Sequence, residues 1–301
     1  MKICFFGLGS IGSRHLHLIR KMYPEFQVSA YRTWRGCSQP NWGDCEGLEV
    51  VGSWLGVDQI KPDIAFITNP TALHINTAIE CAERGMALFI EKPAGHNTDH
   101  LDTLLEIVKR KNLTTYVAYT LRHSPIVAEL KNHLEGKTVT HARYICSSNL
   151  ATWRPDTDCA KSYSANAHMG GGVLLDLSHG VDLMEYLFGP VKEIRGAYAR
   201  RGNVTVDAED VAKLVLIHES GVLSSVDLNV VSRMTERSLD VDTIESPYWY
   251  PTDLRAKTEE DPYEIQLRYF FDNLDNPRMM NNLHDASVLF RQLITFKENK
   301  G

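Results

Sequence analysis

An acidic residue and a histidine stand three positions apart in the second half of this 301-residue chain, as Asp176 and His179. On a helix this spacing places both side chains on one face, and Asp182 would continue that face. A carboxylate that orients an imidazole is a common general acid–base arrangement, so Asp176 and His179 are candidate catalytic residues. The same pattern also occurs on helices for purely structural reasons, and the spacing alone leaves that alternative open.

A lysine at the end of an apolar run is the second candidate. Residues 86–90 are apolar, and the run stops at Glu91-Lys92-Pro93. Such a run is typical of a strand buried on both faces of a parallel sheet, which Pro93 cannot continue because it lacks an N–H. Ligands bind at the carboxyl ends of such strands, where a lysine can be partly desolvated. The alternative is a surface lysine that begins a loop.

A glycine motif, G-x-G-x-x-G, follows the strand-like residues 2–6 and precedes a helical pattern over residues 13–23. Strand, glycine turn and helix in this order predict a dinucleotide site, in which the helix N-terminus binds the pyrophosphate. The residues expected to line it are Gly7, Gly9, Ser10, Ile11 and Gly12.

The end of the second predicted strand, residues 26–31, bears on the choice of dinucleotide. NAD-specific sites usually place an Asp or Glu there to hold the ribose 2′-hydroxyl, but this chain has Tyr31-Arg32-Thr33 followed by Arg35. A guanidinium can pair with a 2′-phosphate, so Arg32 favours NADP over NAD. Arg32 could instead be an exposed loop charge.

Further strands and helices alternate up to residue 120, which predicts a doubly wound parallel sheet. One strand, residues 64–68, ends at Thr68-Asn69-Pro70, again at the edge where the cofactor is expected. His74 follows in the first turn of the next helix. We expect these four residues to contact the cofactor, although His74 could equally be an ordinary surface histidine.

After residue 120 the pattern changes to alternating β-type runs, at about 139–148, 191–200, 211–218 and 222–231. These predict an open, mostly antiparallel sheet with one covered face. A long polar and aromatic segment, 149–169, ends in Gly170-Gly171-Gly172, and a helix is expected from there to about residue 188. The predicted domains are therefore 1–120 and 121–301, with final helices at 262–274 and 284–297 packing near the domain junction.

The amino-acid composition limits the classes of protein to which the chain can belong. With 43% hydrophobic and 23% charged residues the chain resembles an ordinary soluble protein, and its net charge of −6 argues against a nucleic-acid partner. No run is long enough to span a membrane, and the N-terminus reaches Gly7 too soon for a signal peptide. The six cysteines contain no C-x-x-C pair, which predicts reduced thiols, a cytoplasmic location and no metal site.

Taken together, the motifs resemble those of the glucose–fructose oxidoreductase/inositol dehydrogenase (Gfo/Idh/MocA) family over nearly the whole chain. They are the glycine motif, Thr68-x-Pro70-x-x-x-His74, Glu91-Lys92-Pro93, and the triple glycine leading to Asp176 and His179. The resemblance implies a Rossmann domain followed by an α/β domain with an open sheet. It also implies an NAD(P)-dependent oxidoreductase for sugars, cyclitols or sugar nucleotides. The uncovered apolar face of the second predicted sheet needs burial, which predicts a homo-oligomer, either a dimer or a tetramer.

The resemblance also assigns roles to single residues. Lys92 matches the family's catalytic lysine and His179 its acid–base histidine, with Asp176 as the acidic partner. Glu91 would accompany Lys92 at the cofactor. The further residues implied to line the cofactor or substrate are Tyr119, Arg122, Trp153, Arg154, Lys161 and Tyr163.

Two features depart from the family pattern. Many relatives have four residues from the Asp to the His, where this chain has three, and the region after Glu236 is short, so a sheet edge or pocket wall could be trimmed. Two other functions stay open: a non-catalytic NADP-binding regulator and a biliverdin- or imine-type reductase on the same fold.

Overall fold

The computed structural model describes residues 1–33, 47–153, 158–245, 254 and 258–299. The strands are β1 (Lys2–Phe6), β2 (Gln27–Tyr31), β3 (Glu49–Val51), β4 (Ile64–Ile67), β5 (Ala87–Glu91), β6 (Thr115–Ala118), β7 (Val139–Asn149), β8 (Val191–Ala199), β9 (Val211–His218), β10 (Leu223–Asn229) and β11 (Val231–Thr243). The helices are α1 (Ser10–Met22), α2 (Trp54–Ile60), α3 (His74–Glu83), α4 (Leu101–Lys111), α5 (Pro125–Leu134), α6 (Leu150–Trp153), α7 (Val173–Asp176), α8 (His179–Phe188), α9 (Pro262–Asp272) and α10 (Leu283–Glu298).

The chain divides into two compact units that are both discontinuous in sequence. The first unit contains Met1–Ala118 and Tyr263–Ser287, and the second contains Tyr119–Pro262 and Val288–Gly301. The sequence pattern predicted a boundary near residue 120, with all later residues in the second domain. The structure instead assigns residues 263–287 to the first unit, where the N–H of Val117 donates to the carbonyl of Asn281 at 2.8 Å.

A six-stranded parallel sheet forms the centre of the first unit, in the order β3-β2-β1-β4-β5-β6. The strand order reverses between β1 and β4, and such reversals are where α/β sheets bind ligands. The strands are apolar on both faces because helices cover both. The rings of Phe66 and Phe89 stack at 4.4 Å, and Phe270 of α9 meets the Phe89 ring edge-on at 5.2 Å. The predicted doubly wound Rossmann fold is therefore confirmed.

The second unit contains a five-stranded mixed sheet in the order β11-β7-β10-β9-β8. The β7–β10 pair is parallel and the other pairs are antiparallel, which confirms a mostly antiparallel sheet. Along β9 and β10 buried and more exposed residues alternate, as expected when one face is covered. Helix α8 covers that face closely: a Cβ on Gly180 would lie 2.5 Å from the ring of Tyr144 on β7.

One expectation for the second unit needs correction. The single helix expected between residues 172 and 188 is two helices, α7 and α8, separated at Leu177 and Ser178. After Glu236 the chain continues in β11 as far as Thr243, and β11 forms one edge of the sheet. A sheet edge or pocket wall shorter than in relatives stays a prediction.

Candidate functional site

The glycine turn between β1 and α1 has three glycines with three different surroundings. Gly7 has φ +111°, and a Cβ there would lie 2.6 Å from the backbone N of Asn69. A Cβ on Gly12 would lie 2.4 Å from the carbonyl oxygen of Gly7, so Gly12 allows helix and turn to pack. Gly9 differs because nothing in the described protein lies within 4 Å of its added Cβ.

The N-terminus of α1 has the properties of an anion site. Its N-cap residue is Gly9, no side chain caps the helix, and no acidic residue lies in its first turn. The first N–H groups, including those of Ser10 and Ile11, have no partner within the helix and carry the positive end of its dipole. A dinucleotide pyrophosphate fits this cradle, with Gly9 leaving room for its close approach.

The residues at the end of β4 contact the glycine turn between β1 and α1. The hydroxyl of Thr68 donates to the carbonyl of Gly7 at 2.6 Å, and the amide of Asn69 donates to the hydroxyl of Thr77 at 2.8 Å. Pro70 precedes the short 3₁₀ turn Thr71–Leu73. Thr68 and Asn69 thus use these polar groups to hold neighbouring loops, and direct contact of these three residues with a cofactor stays a prediction.

His74, which was expected to contact the cofactor, lies between two loops. Its side chain is buried, with Nδ1 2.9 Å from the carbonyl oxygen of Pro93 and Nε2 2.9 Å from that of Asn69. Burial lowers the pKa of His74, and the two carbonyl contacts oppose this shift. Since both ring nitrogens face backbone oxygens, His74 holds the loops that follow β4 and β5, and its contact with a cofactor stays a prediction.

Lys92 follows β5 directly and is half-buried, as expected for a residue at the carboxyl edge of the sheet. The preceding carboxylate, Glu91, is buried and faces into the protein. Its Oε1 lies 2.8 Å from Nε2 of His15 on α1, and its Oε2 accepts the N–H of Lys92 at 3.2 Å. Both oxygens of Glu91 thus have partners within the first unit, and its expected contact with the cofactor stays a prediction.

Arg32 lies just after β2, half-buried, and its N–H donates to the carbonyl of Val51 at 2.9 Å. The strand ends without a carboxylate, since the residues at its end are Tyr31, Arg32 and Thr33. Arg35 lies outside the described residues. The observed strand end is therefore compatible with the expected preference for a 2′-phosphate, which stays a prediction.

In the second unit, Asp176 is the last residue of α7 and His179 the first of α8. The expectation that they share one helix face is wrong because the intervening residues break the helix. Both side chains are buried, with exposed fractions of 5% and 9%. Nε2 of His179 lies 3.8 Å from Sγ of Cys146 on β7, and the ring of Tyr144 meets the imidazole edge-on at 6.3 Å.

The triple glycine brings α7 against two other segments. A Cβ on Gly171 would lie 2.3 Å from the carbonyl oxygen of Tyr163, and Gly172, with φ +113°, allows no side chain beside Glu209. The Glu209 carboxylate accepts the N–H of Leu174 at 3.3 Å and pairs with Lys297 at 3.2 Å. These glycines therefore position α7, and with it Asp176.

The pair Tyr119 and Arg122 was expected to bind substrate. Tyr119 is only 4% exposed, and burial, followed by the charge of Asp182, raises its pKa. The guanidinium of Arg122 is bound by both oxygens of Asp182, at 3.0 and 2.7 Å. The charge of Arg122 is thus balanced by Asp182 within the second unit, and the contribution of Tyr119 and Arg122 to a substrate site stays a prediction.

The remaining expected residues belong to the long segment after β7. Trp153 ends α6, is 39% exposed, and donates its indole N–H to the hydroxyl of Ser148 at 2.9 Å. Lys161 is exposed and Tyr163 half-buried, in successive 3₁₀ turns. Arg154 lies outside the described residues. The contribution of all four residues to a ligand site stays a prediction.

Three further observations concern the described part of the chain. It contains no group of three or more His, Cys, Asp or Glu side chains arranged to hold a metal ion. None of its helices combines the length and the apolar character needed to cross a membrane. Its four cysteines, Cys4, Cys81, Cys146 and Cys159, are free thiols.

Comparison with known proteins decides the family. Residues 1–119 match the model of an oxidoreductase family with an NAD-binding Rossmann fold, and residues 127–244 match the GFO/IDH/MocA C-terminal domain. The chain belongs to the GFO/IDH/MocA family. The order of the two matches agrees with the two sheets described above.

Two relatives share about a quarter of their aligned residues with this chain. The uncharacterized oxidoreductase YrbE of Bacillus subtilis is 25% identical over 231 residues, which are 73% of this chain and 64% of YrbE. Myo-inositol 2-dehydrogenase of Thermotoga maritima is 27% identical over 248 residues, covering 75% of this chain and 68% of that enzyme. The match thus spans less than two thirds of YrbE.

A solved structure of levoglucosan dehydrogenase in complex with NADH and levoglucosan superposes with a TM-score of 0.79 at 17% identity, covering 100% of this chain and 98% of that one. At this identity the likeness establishes the fold of this GFO/IDH/MocA protein, including both sheets.

Two connections of this site have no counterpart in the motif-based expectations. They are the contact between His15 and Glu91 and the pairing of Arg122 with Asp182. The sequence does contain a signal for the first: His15 lies on the apolar face of α1 beside Leu16 and Ile19. A buried polar group needs a partner, so a histidine in that position predicts one.

Proposed function

We propose that this protein is a nicotinamide-dinucleotide-dependent oxidoreductase that interconverts a carbinol and a carbonyl on a carbohydrate or cyclitol. One observation carries the proposal: the glycine cradle of α1 and Lys92 lie at the same edge of one sheet and are joined through His15 and Glu91. An anion site beside a half-buried lysine suits a cofactor with a pyrophosphate and a substrate oxygen that develops negative charge.

The dinucleotide would be held by the backbone N–H groups of α1 and by the room that Gly9 leaves. A bound nicotinamide supplies the acceptor or donor of the hydride. We favour NADP over NAD because Arg32, and no carboxylate, stands at the end of β2. NAD remains the alternative, in line with the NAD-binding description of the family.

Two side chains would handle the substrate oxygen. The ammonium of Lys92 donates a hydrogen bond to it and stabilises the charge that develops when the hydroxyl proton leaves. His179 accepts that proton during oxidation and returns it during reduction, with Asp176 as its acidic neighbour in sequence. The two residues come from different units, so their joint action on one oxygen is part of the proposal.

We infer the substrate class from the substrates that the names of relatives mention. Myo-inositol and levoglucosan, which the names of the relatives mention, both carry several secondary hydroxyls. We therefore infer a polyhydroxylated substrate, either a free sugar or cyclitol or a sugar joined to a nucleotide.

The test begins with fluorescence titrations of the pure protein with NADPH and NADH. We expect saturable binding of both, with NADPH the tighter ligand, and weaker NADPH binding in Arg32→Ala. Turnover is then measured over a panel of sugars, cyclitols and sugar nucleotides, with transfer of deuterium from the 4-position of the reduced dinucleotide to the product carbon. Binding without transfer to any member would favour a non-catalytic regulator, and binding of neither dinucleotide would overturn the proposal.

We also propose that the protein forms a homo-oligomer through the more exposed face of the second sheet. That face includes Val215 and Leu223, which are 43% and 60% exposed. A second copy of the chain would cover these side chains, which otherwise leave apolar area in water. Light scattering that gives the mass of one 34.0 kDa chain at micromolar concentration would contradict this.

A further inference from the structure

A chain of hydrogen bonds joins helix α1 to the backbone of Lys92. His15 is fully buried in α1, about one and a half turns from the helix start. Its Nε2 lies 2.8 Å from Oε1 of Glu91, and Oε2 of the same carboxylate accepts the N–H of Lys92 at 3.2 Å. Glu91 is 7% exposed, so this carboxylate depends on protein donors rather than on water.

The surroundings of His15 fix its tautomer. Its other ring nitrogen, Nδ1, is buried and has no hydrogen-bond partner. A proton on Nδ1 would be a buried donor without an acceptor, which is costly, and it would leave a bare Nε2 facing a carboxylate oxygen, so that two acceptors would meet. The geometry therefore places the single ring proton on Nε2, from which it is donated to Glu91.

Packing holds this imidazole in one orientation. The ring of Phe89 meets it edge-on at 5.0 Å, and the rings of Phe66 and Tyr263 lie at 6.0 and 5.8 Å. Phe89 belongs to β5, the strand that ends at Glu91. Strand β5 thus supplies both the ring that packs against His15 and the carboxylate to which His15 donates.

We propose that His15 is a positioning residue for Lys92 and acts through Glu91. This inference rests on the proposed function, in which Lys92 donates to the substrate oxygen. The link holds the peptide of Lys92 relative to α1, whose N-terminus is the proposed pyrophosphate site. A misplacement of about 1 Å at a reacting group can reduce a rate by about a hundredfold. His15 would therefore affect the hydride-transfer step although it touches neither substrate nor cofactor.

Two substitutions separate the parts of the link. His15→Leu removes the donor and keeps an apolar side chain of similar size. Glu91→Gln keeps the acceptor oxygen for His15 but places an amide NH₂ opposite the N–H of Lys92, so it breaks the second bond alone. His17→Gln is the matched control, because His17 lies on the same helix and is exposed.

The first readout needs no turnover. Amide hydrogen exchange of the peptide that contains Lys92 reports whether its N–H remains bonded. We expect about tenfold faster exchange there in His15→Leu and in Glu91→Gln, and no change in His17→Gln. Unchanged exchange in both variants would overturn the inference. If His15→Leu fails to fold, Glu91→Gln still tests it.

The second readout is kinetic and distinguishes positioning from general damage to the fold. Rates are expressed per mole of bound NADPH, so unfolded protein does not count. We expect kcat to fall about a hundredfold in His15→Leu, the NADPH Kd to stay within about threefold, and the deuterium isotope effect on kcat to rise as hydride transfer becomes limiting. An unchanged kcat and isotope effect per bound dinucleotide would contradict the inference.

A parallel Lys92→Met variant separates failure of this inference from failure of the proposed function. If Lys92→Met loses turnover while His15→Leu keeps it, the function stands and the positioning role of His15 is wrong. If wild-type protein shows no turnover on any substrate, the function fails, and the exchange experiment alone decides whether His15 holds the Lys92 backbone.

Discussion

Arg122 and Asp182 form a two-point ion pair inside the second unit, with Nε to Oδ2 at 3.0 Å and Nη2 to Oδ1 at 2.7 Å. Asp182 is 2% exposed, and its burial raises its pKa, an effect that the charge of Arg122 partly offsets. The guanidinium also lies 5.0 Å from the ring centre of Tyr186. The pair therefore links α8 to the turn that precedes α5, and each charge depends on the other.

Breaking this pair on one side should be costly. Arg122→Met leaves a buried carboxylate without its cation, and we expect unfolding in urea to show a loss of about 3–5 kcal/mol. Replacing both partners, in Arg122→Met/Asp182→Leu, should restore most of that loss because no charge remains buried. Arg195→Met, in an exposed pair with Glu193, serves as the control and should leave the urea midpoint unchanged. Equal losses in the single and double variants would refute the interpretation.

Replacing Lys92 by Met should separate chemistry from cofactor binding. In the proposed mechanism the ammonium of Lys92 stabilises the developing charge on the substrate oxygen, so we expect kcat to fall by about a thousandfold or more when it is removed. The Kd for NADPH should stay within about threefold. Steady-state kinetics and fluorescence titration measure the two quantities, and Lys109→Met, on α4, is the control. Near-normal turnover in Lys92→Met would remove the lysine from the mechanism.

Gly9 and Gly12 should respond differently to the same substitution. A methyl group on Gly12 would collide with the carbonyl of Gly7, so Gly12→Ala should lower the melting temperature as well as dinucleotide affinity. A methyl group on Gly9 meets no described protein atom, so Gly9→Ala should keep the melting temperature and lose dinucleotide affinity by at least about tenfold. Calorimetry and fluorescence titration test both. Full dinucleotide affinity in Gly9→Ala would show that the pyrophosphate does not bind at this turn.

Stability should fall in mild acid, with His123 as one contributor. Burial, followed by the charge of Arg122, lowers the pKa of His123 to about 4. Because the unfolded chain binds its proton near the ordinary pKa of about 6.5, the unfolded state holds more protons between these values, and stability declines as pH falls. From pH 7 to pH 5 this histidine alone should contribute a loss of about 2 kcal/mol.

Urea titrations at pH 7 and pH 5 check this expectation. In His123→Gln the difference between the two pH values should shrink by about 2 kcal/mol, whereas His284→Gln, at an exposed histidine, should leave it unchanged. An unchanged difference in His123→Gln would show that its proton uptake is not coupled to unfolding.

Local patterns in the sequence were sufficient to predict β5 and α1 of the first unit. The apolar run before Lys92 and the glycine motif both report short-range requirements, namely burial on two faces and a tight turn. Such requirements are met within a few residues, and the structure shows β5 and α1 where these patterns predict them. The unpredicted features involve residues far apart in sequence. His15 and Glu91 are 76 positions apart, and only the folded sheet brings them together.

The second unit shows a different limit. The spacing of Asp176 and His179 was interpreted as if the helix continued, but Leu177 and Ser178 interrupt it. The residues of α7 and α8 are almost all buried, so apolar residues occupy every side of both helices. The spacing of apolar residues therefore does not show where one helix ends and the next begins. Arg122 was expected to line the cofactor or substrate site. Its ion pair was not predicted, because its buried partner, Asp182, lies 60 positions away.

The assignment of residues 263–287 to the first unit has a consequence for how the protein is made. Leu267, Phe270 and Met279 belong to the core that surrounds Phe66 and Phe89. A ribosome therefore releases β1 through β6 long before the side chains that close their hydrophobic core exist. The aromatic core of the nascent sheet stays incomplete until residues 263–287 have been synthesised. We therefore expect the protein to need chaperones during translation. We also expect fragments that stop before residue 262 to aggregate.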